Sequence, residues 1–178
     1  MTFTSPWIAD NLALLDRALA FLDAIDDDAF RLQDRHLQLA APGSHLRHVL
    51  DFVRCVVDGI RLGRIDYDQR RRDERVERDR DFARAELATQ RRRLAALATL
   101  PPTRRVMVRA ESAEPDAPWS DSTFHRELMF LQSHTIHHFA LIALHARRLA
   151  IDVGDDFGVA PSTLRHQAAM ESLRACAP

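Results

Sequence analysis

The stretch from Glu127 to Ile142, Glu-Leu-Met-Phe-Leu-Gln-Ser-His-Thr-Ile-His-His-Phe-Ala-Leu-Ile, leaves a chain few ways to fold. Its apolar residues recur at helical steps, and a helix with such a stripe has to be covered on that face by other elements. His134 and His138 stand four positions apart, about 6 Å along a helix axis and on one side of it. Continued by helical steps, that side collects Leu128, Leu131, Thr135, Leu141, Ile142 and His145, so both imidazoles look inward. The spacing suits a pair of metal ligands, and it equally suits two core histidines hydrogen-bonded to their neighbours.

Three further amphipathic stretches can supply the cover. Ser5-Pro6 reads as an N-cap with proline at the first helical position, followed by Ile8, Leu12, Leu15, Leu19, Leu22 and Ile25 at steps of three and four. Asp26-Asp27-Asp28 breaks that face. After the turn Ala41-Pro42-Gly43-Ser44, with Ser44 as cap, a second helix runs to Gly59 or Gly63 on the stripe Leu46, Val49, Leu50, Val53, Val57 and Ile60. A third enters from the charged run Arg70 to Asp81 and continues through Phe82, Leu87, Leu94 and Leu97 until Leu100-Pro101-Pro102 stops it. Arg104 to Arg109 alternates β-branched residues and is expected to be a short strand or hairpin arm, and Glu111 to Pro118 a loop. Asp121 or Ser122 then caps the fourth helix, which reaches about Leu149, and Pro161 opens a short C-terminal helix. Four such faces can bury one another, so the expected class is an all-α four-helix bundle forming a single domain over residues 1–178.

Composition removes several classes of function. Hydrophobic residues at 46% and charged residues at 29% are an ordinary globular balance, and without a long uncharged apolar run no membrane span is expected. The N-terminal Met-Thr-Phe-Thr-Ser-Pro-Trp lacks a signal-peptide pattern, which leads us to expect a cytoplasmic protein. Two cysteines, Cys55 and Cys176, have no CxxC partner, and Cys55 sits in an apolar run as a small buried hydrophobe. All 25 basic side chains are arginines, so lysine nucleophiles and Schiff bases are excluded. Asp73, Glu74, Glu77, Asp79 and Asp81 interleave with the arginines of the third helix, and the net charge is −1. That pattern reads as a salt-bridged, solvated face rather than a nucleic-acid surface, with Arg91-Arg92-Arg93 as its one unbalanced patch.

A helix-borne pair of imidazoles needs a third protein ligand from a facing helix if the site is to perform chemistry. The other histidine cluster in a helix core is His45/His48. Periodicity places His45 nearer the apolar centre than His48, and spacing does not choose between them. Glu127, seven residues before His134, is an inward-edge candidate for orienting a ligand, or a partner in an ion pair with a neighbouring arginine.

Gly43-Ser-His45-Leu-Arg-His48-Val-Leu-Asp51, taken with Ser133-His134-Thr-Ile-His137-His138-Phe-Ala-Leu-Ile142, resembles the DinB/YfiT-like family of damage-inducible bacterial proteins. The likeness covers nearly the whole chain and extends to the runs Asp66-Tyr67-Asp68-Gln-Arg70 and Phe157-Gly-Val-Ala-Pro161-Ser-Thr163. It implies a four-helix bundle with a strand or hairpin excursion between the third and fourth helices, and a three-histidine divalent metal site at one end. The family's second-helix pattern matches Leu46-Arg47-His48-Val49, so the ligands it implies are His48, His134 and His138, with His137 outside the site. The implied cofactor is a divalent metal ion, zinc or nickel first, with iron or manganese as alternatives.

Two classes of function follow. In the first, the cation activates a thiol or water for attack on a small electrophilic substrate, as in the thiol S-transferases and hydrolases that the resemblance brings in; the thiol would be of low molecular weight. His45 and Glu127 are then the candidate catalytic residues beside the metal. In the second, the cation holds the second and fourth helices together in a non-catalytic binding or dimerisation module of a stress response. A homodimer is compatible with either, and no nucleic-acid or membrane partner is expected.

Overall fold

The computed structural model describes residues 6–36, 38–114 and 116–175. The expected Ser5 cap and Cys176 lie outside these residues. Helix α1 (Pro6–Ala24) buries Ile8, Leu14, Leu15, Ala18, Phe21 and Leu22. The aspartates after it do not merely end a face. Asp26 caps a short helix, α2 (Asp27–Arg31), by accepting from the Ala29 N–H at 2.8 Å, and Asp27 and Asp28 occupy its first turn.

Helix α3 (Pro42–Leu62) begins with proline in its first turn and has no side-chain cap, so Ser44 is a helical residue rather than the cap expected of it. Its buried stripe includes Leu46, Val49, Leu50, Val53, Val57 and Ile60, as the periodicity requires. Gly63 ends it with φ at +75°, a conformation that favours glycine, and turns the chain into strand β1 (Arg64–Asp66). The third helix is interrupted. A four-residue piece, α4 (Arg75–Arg78), precedes α5 (Arg80–Ala95), which starts where Asp79 accepts from the Phe82 N–H at 2.9 Å. The arginines of α5 find carboxylates on other elements rather than mainly along their own helix: Arg80 on Asp27 and Arg84 on Asp23, each at 2.7 Å, Arg91 on Asp16, and Arg93 on Asp58.

Strand β2 (Arg105–Arg109) pairs in parallel with β1, Ile65 facing Val108, and antiparallel with β3 (Ser120–Thr123), Val106 facing Ser122. The protein is therefore helix-rich but not all-α: β2 and β3 form the expected hairpin excursion before α6, and β1 joins them to make a three-stranded sheet ordered β1-β2-β3. Asp121 and Ser122 belong to β3, and it is Thr123 that caps α6 (Phe124–Arg148) by accepting from the Arg126 N–H. The C-terminal helix α7 (Pro161–Ala175) is longer than expected and largely exposed.

Helix α1 packs on both α5 and α6, and α3 packs on the same two, so the four long helices close a ring of pairwise contacts around the core. Strand β1 lies against α3. One run singled out in the sequence, Phe157 to Thr163, acquires a physical role here. Phe157 stacks on Phe139 of α6 with centroids 4.6 Å apart. Gly158, at φ +77°, lies where a Cβ would be 2.5 Å from the Ala140 nitrogen, so the turn needs glycine twice over. Among the described residues no helix is long and apolar enough to cross a membrane.

Gly59 is where α3 meets β1: a Cβ there would fall 2.3 Å from the Arg64 carbonyl oxygen. Gly59→Ala is expected to destabilise the protein by about 1–3 kcal/mol through backbone displacement. The measurement is urea unfolding, with a lower midpoint at an unchanged slope.

Candidate metal centre

Helices α3 and α6 cross with their histidines facing. On α3 the one-turn rise from His45 puts His48 at the edge of the apolar stripe, and on α6 His134 and His138 share the inward side. His48, His134 and His138 each offer a ring nitrogen, and these nitrogens lie within 4.8 Å of one another. The ring centroids are 4.5 Å apart for His48 and His138, 4.7 Å for His134 and His138, and 5.0 Å for His48 and His134. His137 is exposed and is not one of the three, although its ring lies 5.2 Å from that of His138.

Aromatic rings hold this group in place. Phe52 stacks on His134 at 3.9 Å and also meets His48 at 4.9 Å, while Phe130 flanks His134 from its own helix. Tyr67 in turn stacks on Phe52 at 5.0 Å. Neither Phe52 nor Tyr67 was singled out as part of the site by the sequence reading, although Phe52 falls one turn after His48 and was within reach of a spacing argument.

The electrostatics favour neutral rings. Desolvation, then the neighbouring His134 and the Arg70 and Arg47 guanidinium groups, bring His48 down to about 4; desolvation, then His48 and His134, bring His138 to about 3. His134 and His45 are lowered as well, chiefly by burial. A neutral imidazole with a bare nitrogen is the ligating form. His134 Nε2 is moreover buried without a hydrogen-bond partner, an unsatisfied atom that a cation would satisfy. The donor set present thus fits a divalent metal ion of the borderline-soft kind.

The two candidate catalytic residues divide. His45 lies against the cluster, 9% exposed, its Nδ1 at 3.1 Å from Nδ1 of His138. Glu127 does not join it. Fully buried near the start of α6, its carboxylate accepts from Tyr67 Oη at 2.7 Å, Ser122 Oγ at 2.5 Å and an Arg126 guanidinium N–H at 3.0 Å. These partners tie the segment after β1 and strand β3 to α6, which is a structural task. Cys55 is no nucleophile either: burial and the Asp51 carboxylate push its thiol up to about 12.

Two cavities flank the site without being lined by its histidines. One, of about 210 Å³, has Asp51, Arg54, Cys55 and Arg70 in its wall; the other, of about 460 Å³, has Glu111, Ser112, Asp121 and Arg126. Arg70 and Glu111 are ion-paired with each other. Arg70 acts on His48 and His134, and Glu111 on His134, so the pair stands near the imidazoles.

Comparison with known proteins adds little. No family model matches the chain, and no solved structure matches it. A 45-residue segment is 47% identical to part of FK506-binding protein 5 of Rhizopus delemar, covering 25% of this chain and 12% of that protein. The chain thus spans about an eighth of that protein's length, and the match carries no assignment of family or activity.

Two outcomes follow from the geometry. Glu127→Ala strands the Tyr67 hydroxyl and Ser122 in a buried setting and is expected to cost about 1–3 kcal/mol in chemical denaturation, while leaving metal affinity within a few-fold of wild type. The metal-free protein should also lose stability in acid. His48 and His138 are neutral in both folded and unfolded chains above about 6.5. As pH falls below that value the unfolded chain takes up protons that the folded one refuses until about 4 and 3. Thermal midpoints are therefore expected to fall steadily through that window, and less steeply in His138→Leu.

Proposed function

We propose that this chain is a DinB/YfiT-like four-helix-bundle protein that binds one divalent metal ion, zinc or nickel first, through His48, His134 and His138, and uses it as an enzyme. The observation that carries this reading is the convergence of three neutral imidazoles from two facing helices, their nitrogens within 4.8 Å of one another. The ring of four long helices and the placement of His48 on α3 opposite the pair on α6 support the family likeness.

With three neutral ligands a bound cation keeps its full charge, and it lowers the pKa of a thiol or water placed beside it. Among the described residues no cysteine or carboxylate joins the three histidines in the group, which leaves a coordination position for such a nucleophile. The chain's own contribution is positional. Phe52 and Phe130 fix the plane of His134, burial keeps the imidazoles unprotonated at neutral pH, and the Arg70–Glu111 pair places opposite charges beside the cluster. The substrate class we infer is a small electrophile attacked by a low-molecular-weight thiol or by water, giving a thiol S-transferase or a hydrolase. Arg80, Arg84, Arg91 and Arg93 of α5 are engaged by carboxylates of α1, α2 and α3, which supports a folded, ion-paired surface rather than a nucleic-acid interface.

The same site favours a second reading, because a cation shared by α3 and α6 would pin the two helices together whether or not it reacts. One experiment separates them. Purified protein is expected to take up zinc or nickel stoichiometrically, with His48→Ala and His134→Ala each weakening uptake by more than the roughly 10–100-fold that loss of an outer-shell contact costs. The loaded protein is then assayed against thiol–electrophile pairs and against esters and amides. Turnover that disappears in His134→Ala supports the enzyme; uptake accompanied by a raised thermal midpoint and no turnover supports the structural module; absence of uptake sinks both.

A further inference from the structure

His45 stands outside the three-histidine group, yet its ring meets a histidine of α6. Its Nδ1 is 3.1 Å from Nδ1 of His138, with the ring centroids 5.3 Å apart. His45 Nε2 is buried without a hydrogen-bond partner, so Nδ1 is the ring nitrogen through which His45 engages another side chain.

A neutral imidazole has a single N–H, so the position of the proton on one ring dictates its position on the next. Two polarities are open to the His138–His45 pair. In the first, His138 Nδ1–H donates to His45 Nδ1 and leaves His138 Nε2 bare. In the second, His45 Nδ1–H donates and His138 carries its proton on Nε2, with no lone pair there to offer a metal. A cation at the three-histidine group would be compatible only with the first.

We propose that His45 is a positioning residue: by accepting the Nδ1 proton of His138 it holds that ring in the tautomer whose Nε2 is free to ligate beside His48 and His134. For metal affinity this rests on the ligand assignment above; for the tautomer it does not. An imidazole ligand that donates its other N–H is held in orientation and made a stronger donor, and removing the acceptor typically weakens metal binding about 10–100-fold.

The test uses the full chain, labelled with nitrogen-15. Long-range nitrogen–proton spectra of the metal-free protein are expected to show the Nδ1–H tautomer at His138 in wild type and in His45→Gln, whose side-chain oxygen accepts the same proton, and a mixture in His45→Phe. Zinc affinity, measured by chelator competition, should fall about 10–100-fold in His45→Phe and stay within a few-fold in His45→Gln. Thermal unfolding of each variant monitors the fold, and neither the tautomer nor the rescue by glutamine would follow from a packing role. An Nε2–H tautomer at His138 in wild type overturns the proposal, as does undiminished zinc affinity in His45→Phe. So does loss of zinc from both His45 variants while His48→Ala retains it, since His45 would then be the ligand. If wild type takes up no zinc, the functional reading fails and the His138 tautomer alone decides the role of His45.

Discussion

The seam between α3 and α6 can exist only while its imidazoles stay uncharged. His45, His48, His134 and His138 are all drawn into an environment of Phe52, Phe130 and one another, where a protonated ring would lose its hydration and face its neighbours' charge. Neutrality has its own requirement, because each ring then presents one donor and one acceptor that must be matched. The contact of His45 with His138 meets part of that demand within the protein, while His134 Nε2 is buried without a hydrogen-bond partner. A cation at the cluster and a consistent set of tautomers are thus two answers to one constraint.

Glu127 shows the same constraint met by other means. A carboxylate with no exposure survives because Tyr67, Ser122 and Arg126 all donate to it. Since Tyr67 follows β1 and Ser122 lies in β3, this one side chain fastens both edges of the sheet to the start of α6. The fastening also reaches the histidines, because Tyr67 stacks on Phe52 and Phe52 on His134. Residues two helical turns apart on α6 therefore belong to one packed column, with the ion-bonded end setting the position of the aromatic end.

Helical periodicity was enough to place the four long helices and to turn His134 and His138 inward, because those signals are local and repeat many times. The sheet was mostly hidden. Strand β1 is three residues long and pairs in parallel with a strand some forty positions away, while β3 is Ser-Asp-Ser-Thr, with no apolar alternation to announce it. Capping was misjudged by small steps at Ser44 and at Asp121 or Ser122, since several residues in each stretch can accept a backbone N–H and the tertiary path decides which one does. The charged run was legible in part. Arg75 and Arg78 pair locally with Asp73 and Glu74, but Asp79 breaks the helix to cap α5, and Arg80, like Arg84, Arg91 and Arg93 further along, reaches a carboxylate elsewhere in the chain.

The choice between His45 and His48 is the instructive case. Periodicity placed His45 closer to the apolar centre, and His45 is indeed the more buried of the two. Depth does not make a ligand, however. A ring near the centre of the seam is committed to its neighbour, as His45 is to His138, whereas His48 at the edge offers a ring nitrogen to the group with His134 and His138. His48 occupies that edge, beside the segment that carries Arg70 and across from Glu111 on the loop after β2. The helices thus supply the donor nitrogens, and the residues that follow the strands supply the charges around them. A change in those charges would alter the field at the cluster while leaving the three imidazoles where they are.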